Sequence, residues 1–125
     1  MVTKRSRCAF PKTVETLESA IKGAGNTVFA TIDQSAAAAS AGTTLRPTTL
    51  ILFGNPMAGT PVMDAFPLVA LELPFKLLVW EENGTVTVAY VTMSEIAAKC
   101  GVTGMEPRIA AMDDAIATLV GTVAE

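Results

Sequence analysis

The feature that most restricts the fold is an Asn-Gly dipeptide between two runs of residues typical of β-strands. The runs Phe75–Glu81 and Thr85–Val91 flank Glu82-Asn83-Gly84, which contains this dipeptide. Asn-Gly favours the two-residue turn that joins antiparallel strands, because both turn positions need a positive φ. The second run alternates between two sets of side chains, as a strand does when it buries one face. The sequence therefore predicts a β-hairpin within an antiparallel sheet.

Three further segments are predicted to be strands, namely Met1–Phe10, Thr27–Asp33 and Thr48–Phe53. The last of these is apolar at consecutive positions, and so is much of Phe75–Glu81. Consecutive apolar residues indicate a strand that is covered on both faces. If helices cover one face of the sheet, the other face must be either solvated or paired. The consecutive apolar residues favour pairing, so we expect a homodimer.

Capping residues and apolar spacing predict three longer helices. The first opens at Pro11, the second starts at Thr92 or Ser94 and ends before Gly101, and the third begins near Glu106. The third carries an apolar stripe at spacings of three and four, which is typical of a helix with one buried side. The stripe consists of Ile109, Met112, Ile116, Leu119, Val120 and Val123.

Two shorter helices are less sharply defined by the sequence. The alanine-rich segment Ser35–Ala41 forms either a short helix capped by Ser35 or a close-packed loop. Thr60-Pro61 has the pattern of an N-cap followed by a first helical residue, so another short helix is expected to begin there and to end by Pro74.

The order of elements predicts one α+β domain over residues 1–125. The order is β-α-β-β-β-β-α with short helical insertions, and no linker, repeat or low-complexity segment interrupts it. A curved, mainly antiparallel sheet with helices packed on one face fits this order.

Composition excludes several classes of function. The chain has no histidine among its 125 residues, so it lacks the commonest general base and the commonest transition-metal ligand. Its net charge is −3, which argues against nucleic acid as the main partner. No apolar run reaches the length of a membrane span. The protein is expected to be cytoplasmic, or exported if a leader has been removed.

The two cysteines leave two interpretations open. Cys8 and Cys100 are far apart in sequence and form no C-x-x-C motif. Buried free thiols are favoured, because free cysteine packs as a small hydrophobic residue. A disulfide, and with it redox or metal handling, requires that their Cα atoms lie within bonding range.

The stretch Leu45–Glu81 carries a family resemblance. It places a buried-type strand, a loop rich in Gly, Asn, Pro and Thr, and a second buried-type strand in series. This arrangement resembles the bacterial and archaeal family catalogued as "domain of unknown function 302". The resemblance implies a fold similar in topology to the TATA-box-binding protein, and it implies no DNA binding and no established activity. It also implies a histidine and a lysine or other polar residue where this chain has Gln34 and Met57.

The glycine-containing loop is a candidate anion site. Gly54, Asn55, Gly59 and Thr60 follow a strand and precede a helix, where backbone N–H groups can bind an anion. The glycine spacing matches a P-loop, but Thr60-Pro61 stands where that motif needs Lys followed by Ser or Thr. The motif therefore argues against a nucleoside triphosphate site, and a weaker anion site and a purely structural turn remain as alternatives.

Three charged residues could take part in a site. Asp33 either acts as a base or caps the alanine-rich segment. Arg46, held extended by the proline that follows it, either binds a carboxylate or phosphate or pairs with an acidic residue of the chain. Lys76 lies within an apolar strand, where it is either a nucleophile or, as we favour, a side chain that reaches solvent.

These observations favour a non-enzymatic binding or assembly module with no cofactor and no metal. The predicted site comprises Asp33, Arg46, Gly54, Asn55, Gly59 and Thr60. Its expected ligand is small and anionic or amphipathic, because backbone N–H groups, one arginine and apolar walls would surround it. The alternatives are an enzyme of unrecognised type that uses Asp33 as base, or thiol chemistry through Cys8 and Cys100.

Overall fold

The computed structural model describes all residues from Met1 to Glu125. Its single sheet has five strands in the order β1-β5-β4-β3-β2, and every neighbouring pair is antiparallel. The strands are β1 (Val2–Arg5), β2 (Thr27–Asp33), β3 (Thr48–Gly54), β4 (Phe75–Glu82) and β5 (Thr85–Tyr90). The helices are α1 (Phe10–Gly23), α2 (Gln34–Ser40), α3 (Pro56–Ala65), α4 (Met93–Cys100) and α5 (Glu106–Gly121), with a 3-10 helix at Pro67–Leu71. The predicted α+β class is confirmed.

The hairpin predicted from Asn-Gly joins β4 to β5. Asn83 has a φ of 52° and Gly84 a φ of 80°, as the two-residue turn of this type requires. The register places Glu82 opposite Thr85 and Val79 opposite Val88. The hairpin therefore lies in the middle of the sheet, between β3 and β1.

Helices α1 and α5 cover one face of the sheet and form the main core with it. Ile51, Leu77 and Val79 of the central strands are fully inaccessible to solvent, and Leu17 and Ile21 of α1 pack against them. The apolar stripe predicted for α5 is buried throughout: Ile109, Met112, Ile116, Leu119, Val120 and, just beyond the helix, Val123. Burial of this kind is the main favourable term in folding, at about 25 cal/mol per Å² of apolar surface.

Helix α4 is defined by the capping signals in its sequence. Of the two N-cap candidates, Thr92 is the one used, and Glu95 completes a reciprocal capping box with it. Gly101 ends the helix with a φ of 70°, a left-handed conformation that glycine adopts at no steric cost. Asp113 of α5 holds the N-terminal end of α4 in place, since its carboxylate accepts hydrogen bonds from the backbone amides of Met93 and Ser94.

The first strand is shorter than predicted. It ends at Arg5 instead of Phe10, because Ser6 turns the chain towards α1. The buried Ser6 hydroxyl shares a 2.7 Å hydrogen bond with the hydroxyl of Thr13 and accepts another from the backbone amide of Cys8. The prediction carried the strand through this turn and into the first residue of α1.

The predicted start of α3 at Thr60-Pro61 is wrong. The helix begins at Pro56, and the side chain of Asn55 caps it by accepting from the amide of Met57. Pro61 therefore lies inside the helix and cannot donate to the Met57 carbonyl one turn earlier. Met57 is strongly exposed, so water can hydrogen bond that carbonyl.

None of the five helices combines the length and apolarity needed to cross a bilayer.

Candidate ligand-binding site

A cleft of about 800 Å³ opens between α3 and α5 at the end of the sheet where β3 stops and β4 starts. Phe53 of β3 and Phe75 of β4 lie at its base, with ring centroids 5.8 Å apart. Met112 and Ile116 of α5 contribute further apolar lining. The volume falls within the range of about 300–1,000 Å³ that is typical of small-molecule sites.

Small residues on both helices keep the cleft open. Ala111 and Ala115 lie one turn apart on α5, and Ala58 and the buried Gly59 line the opposite side on α3. A methyl group on Gly59 would lie 3.6 Å from Leu73 Cδ1, which is ordinary van der Waals contact. Glycine is therefore not required there by packing, and its effect is to leave additional space.

The mouth of the cleft is shaped by Phe29. A bulge between Val28 and Ala30 shifts the register of β2 against β3 at this residue, and bulges commonly redirect a side chain. Phe29 is 55% exposed and lines the cleft. It lies so close to Gly54 that a methyl group there would come within 3.2 Å of Phe29 Cε2.

The electrostatics of the cleft favour an anion. Arg108 is the only charged residue that lines it, and its guanidinium has no hydrogen bond or ion pair within the chain. The first turns of α3 and α5 both open onto the cleft, and a helix N-terminus carries partial positive charge. Glu106, two residues before Arg108 in α5, does not line the cleft, and its carboxylate accepts a hydrogen bond from the amide of Gly104.

Four of the six residues predicted for the site lie together at the cleft. Gly54, Asn55, Gly59 and Thr60 all line it. They do so as the end of β3 and the first turns of α3, and not as the open loop that the sequence suggested. Asn26 of the segment before β2 adds a further polar side chain to the lining.

Asp33 and Arg46 lie away from the cleft. Asp33 pairs with Thr49 and Arg46 precedes Thr48, so both are near the start of β3 while Gly54 is at its end. Six residues of extended chain separate these ends by about 20 Å. Arg46 instead forms an exposed ion pair with Glu82, at 2.6 Å.

Asp33 is the N-cap of α2. Its carboxylate accepts from the Ala36 amide at 2.9 Å and from the Ser35 hydroxyl at 2.9 Å. The hydrogen bond from Ala36, followed by that from Ser35, holds the pKa of Asp33 below its usual value. The side chain is solvent-exposed and bonded to its own helix, which is the environment of a structural cap and not of a general base.

The cap makes the stability of α2 depend on pH. We expect Asp33→Ala to lower the unfolding temperature at neutral pH and Asp33→Asn to preserve it, because asparagine also caps. Since the native pKa is lowered, the carboxylate's contribution is present above its ordinary value of 3.8 and is lost as the pH falls through the native pKa. Wild type should therefore approach Asp33→Ala in acid while Asp33→Asn does not, as thermal unfolding at a series of pH values will show. Parallel pH profiles for all three proteins would contradict this account.

The titratable groups whose pKa is clearly displaced lie outside the lining of the cleft. Hydrogen bonds lower the pKa of three carboxyls and raise that of Lys99, while burial raises the pKa of Tyr90. The carboxyls are Asp33, Glu72 and Glu95.

The remaining chemical candidates are also placed outside the cleft. Lys76 is exposed on the sheet and does not line it. Cys8 and Cys100 are half-buried free thiols, one just before α1 and the other at the end of α4.

Arg108 and Phe29 were not singled out from the sequence. In the sequence pattern, Arg108 has the position of an ordinary surface residue in the first turn of a helix, and Phe29 has that of a core residue of β2. The signal that could have indicated Arg108 is the run of small or charged residues Arg108, Ala111 and Ala115 on one side of α5, beside the apolar stripe that the helix buries.

The architecture and the cleft together define a two-layer α+β domain with a ligand-sized space between its helices. The chain belongs to the family described as "Domain of unknown function DUF302", whose sequence model matches residues 2–123. A crystal structure of an uncharacterised conserved DUF302 protein from Bacillus stearothermophilus has the same fold. Its TM-score is 0.89 at 21% identity, over 98% of this chain and 96% of that one.

Curated relatives from Brucella are similar over part of their length. The chain is 40% identical over 83 residues to the fluoride-specific ion channel FluC 1 of Brucella suis biovar 1 (strain 1330), which is 66% of this chain and 33% of that protein. The match to fluoride-specific ion channel FluC 2 of Brucella melitensis biotype 1 is also 40% identical and covers 31% of that protein. The chain thus spans about a third of the length of these relatives.

Proposed function

We propose that the protein is a binding module for small amphipathic anions. The observation that carries this proposal is an apolar cleft of about 800 Å³ in which Arg108 is the only charged side chain and has no partner. An apolar tail would lie along Phe53, Phe75 and Met112, and a carboxylate or sulfonate would meet Arg108 at the rim. Thr60 and the free amide N–H₂ of Asn55 are available as further donors.

Binding of this kind follows from the composition of the lining. Each buried methylene contributes about 0.8 kcal/mol, so the apolar walls supply most of the affinity. The cationic rim supplies selectivity for anions, because the partial charges of two helix N-termini and the full charge of Arg108 are all positive. A planar guanidinium also suits a carboxylate, which it can bind through two parallel hydrogen bonds.

The test is isothermal titration calorimetry with octanoate, decanoate and dodecanoate, each below its micelle-forming concentration. We expect affinity to rise with chain length by up to about fourfold per methylene, and dodecylammonium to bind more weakly than dodecanoate. Dodecanol measures the contribution of the tail alone. Equal binding of the cationic and anionic chains, or no binding of either, would overturn the proposal.

Fluoride is the natural control ion, since the Brucella relatives are named as fluoride-specific channels. Fluoride is small and strongly hydrated, and a site for it needs several converging donors to replace its water. The cleft is lined mainly by carbon atoms, which supports an amphipathic ligand in preference to a bare halide. Sodium fluoride should therefore neither bind nor displace dodecanoate.

We also propose that the chain forms a homodimer through the face of the sheet that α1 and α5 leave uncovered. Half-buried apolar side chains on that face, among them Leu50, Leu78 and Trp80, support this proposal. Exposed apolar patches of this kind commonly mark protein interfaces. Sedimentation velocity over a range of protein concentrations tests it, and a monomer at every concentration would overturn it.

A further inference from the structure

The sheet face opposite α1 and α5, called here the outer face, is apolar in its middle. Six side chains of β2, β3 and β4 form its apolar part, and none is buried, although their neighbours Ile51, Leu77 and Val79 are fully inaccessible. Ile32 is 39% exposed. The six residues are Ala30, Ile32, Leu50, Leu52, Leu78 and Trp80.

Strand β4 carries a distinctive charge pattern across this face. Lys76, Leu78, Trp80 and Glu82 project from it in succession, because alternate residues of a strand share a face. A positive charge thus stands at one end, a negative charge at the other, and two large apolar side chains between them. Reversing the direction of the strand exchanges the signs of its two ends.

We propose that two copies of the chain pack outer face to outer face, with β4 antiparallel to β4 of the second copy across a two-fold axis near Val79. This arrangement rests on the proposed homodimer and specifies its geometry. A two-fold axis in the interface, perpendicular to the strands, places Lys76 opposite Glu82 of the other copy and Leu78 opposite Trp80. In an isologous interface each of these contacts occurs twice.

The alternative two-fold axis, parallel to the strands, is disfavoured by the same charges. It would keep the strand direction, so that Lys76 would lie level with Lys76 of the second copy, and like charges face to face are costly. It would also place β3 of one copy over β5 of the other, because these two strands flank β4. The apolar side chains of β3 would then lie against Thr85 and Thr87 of β5. The antiparallel arrangement instead stacks apolar strands on apolar strands.

The charges of the chain leave room for the new contacts. Lys76 has no ion pair within the chain. Arg46 already bonds Oε1 of Glu82 at 2.6 Å, which leaves Oε2 for Lys76 of the second copy. The added lysine would complete a small surface network of three charges.

The size of the face predicts the strength of the dimer. Five strands spaced about 4.8 Å apart and about 20 Å long give roughly 500 Å² per copy, or about 1,000 Å² in total. That is the lower limit for a specific interface. Dissociation on dilution is therefore expected, and Trp80 at the centre has the character of an interface anchor.

Sedimentation velocity of the full chain over a dilution series tests the arrangement with five proteins. Wild type should dimerise. Lys76→Glu and Glu82→Lys should each weaken dimerisation by about tenfold or more, because like charges then meet at two places in the interface. The Lys76→Glu/Glu82→Lys double variant should dimerise nearly as well as wild type, because opposite charges meet again. Lys22→Glu, at an exposed position of α1 on the opposite side of the sheet, is the matched control and should leave dimerisation unchanged. Trp80 is the single tryptophan, so its emission should shift to the red on dilution.

Each other outcome has a defined meaning. A dimer that is indifferent to the single charge reversals, or is not restored in the double variant, overturns the antiparallel arrangement and leaves the homodimer itself standing. A dimer whose dissociation does not change the emission of Trp80 overturns the choice of the outer face. A wild-type monomer at all concentrations overturns both the homodimer and its geometry.

Discussion

Replacing Arg108 with glutamine is expected to weaken dodecanoate binding about tenfold while leaving dodecanol binding unchanged. Tenfold corresponds to about 1.4 kcal/mol. This lies between the contribution of an exposed ion pair, at most about 1 kcal/mol, and that of a hydrogen bond to a charged group, about 1.5–3 kcal/mol. The intermediate value follows from the position of Arg108, which is exposed itself but borders an apolar cleft.

Two further variants define what Arg108 contributes. Arg108→Lys keeps the charge and loses the two-pronged geometry, so its affinity for dodecanoate should lie between those of wild type and Arg108→Gln. Arg46→Gln is the matched control, because it removes an arginine from the other end of β3 and should not change binding. If Arg108→Gln weakens dodecanol as much as dodecanoate, the residue acts through packing and the anionic part of the proposal fails.

Local signals were sufficient for most of the elements. The Asn83-Gly84 turn, the capping of α4 and the α5 stripe depend on residues within a few positions of one another, and all three predictions are confirmed. The α3 boundary was misplaced because two N-cap patterns compete within six residues. Asn55-Pro56 is the one used, and the later Thr60-Pro61 lies inside the helix.

The composition of the site depended on information that a sequence pattern does not contain. Asp33 ends β2, Arg46 precedes β3 and Gly54 ends β3, and the sequence does not show which of these lie at the same edge of the sheet. The direction of β3 decides the matter, because Asp33 and Arg46 lie beside its start and Gly54 is its last residue. Both charged side chains are then used locally, as a helix cap and as a surface ion pair.

The cleft itself was not foreseeable because it is a space between two helices that are about 50 residues apart in sequence. Its width depends on how α5 docks beside α3, and its openness on small residues such as Ala111 and Ala115. In a helical pattern, alanines on an exposed side indicate helix propensity and nothing more. Only the packed structure shows that they line a concave surface next to an unpaired arginine.

Replacing Ala115 with tryptophan is expected to have the largest effect on binding. Ala115 lines the cleft one turn of α5 beyond Ala111 and is exposed, so an indole can occupy the cleft without displacing the core. If it excludes three methylenes of a bound tail, the loss is about 2.4 kcal/mol, or roughly fiftyfold in affinity for dodecanoate. Octanoate should lose less, so the dependence of affinity on chain length should become flatter.

The matched control is Ala117→Trp, two residues further along α5, which is exposed and does not line the cleft. Both variants carry the same helix-propensity cost of about 0.7 kcal/mol or less, so their unfolding temperatures should be similar and only their affinities should differ. If Ala115→Trp is as stable as the control and binds dodecanoate like wild type, then the tail lies elsewhere. The Arg108 result would in that case report on a surface charge and not on the entrance to this cleft.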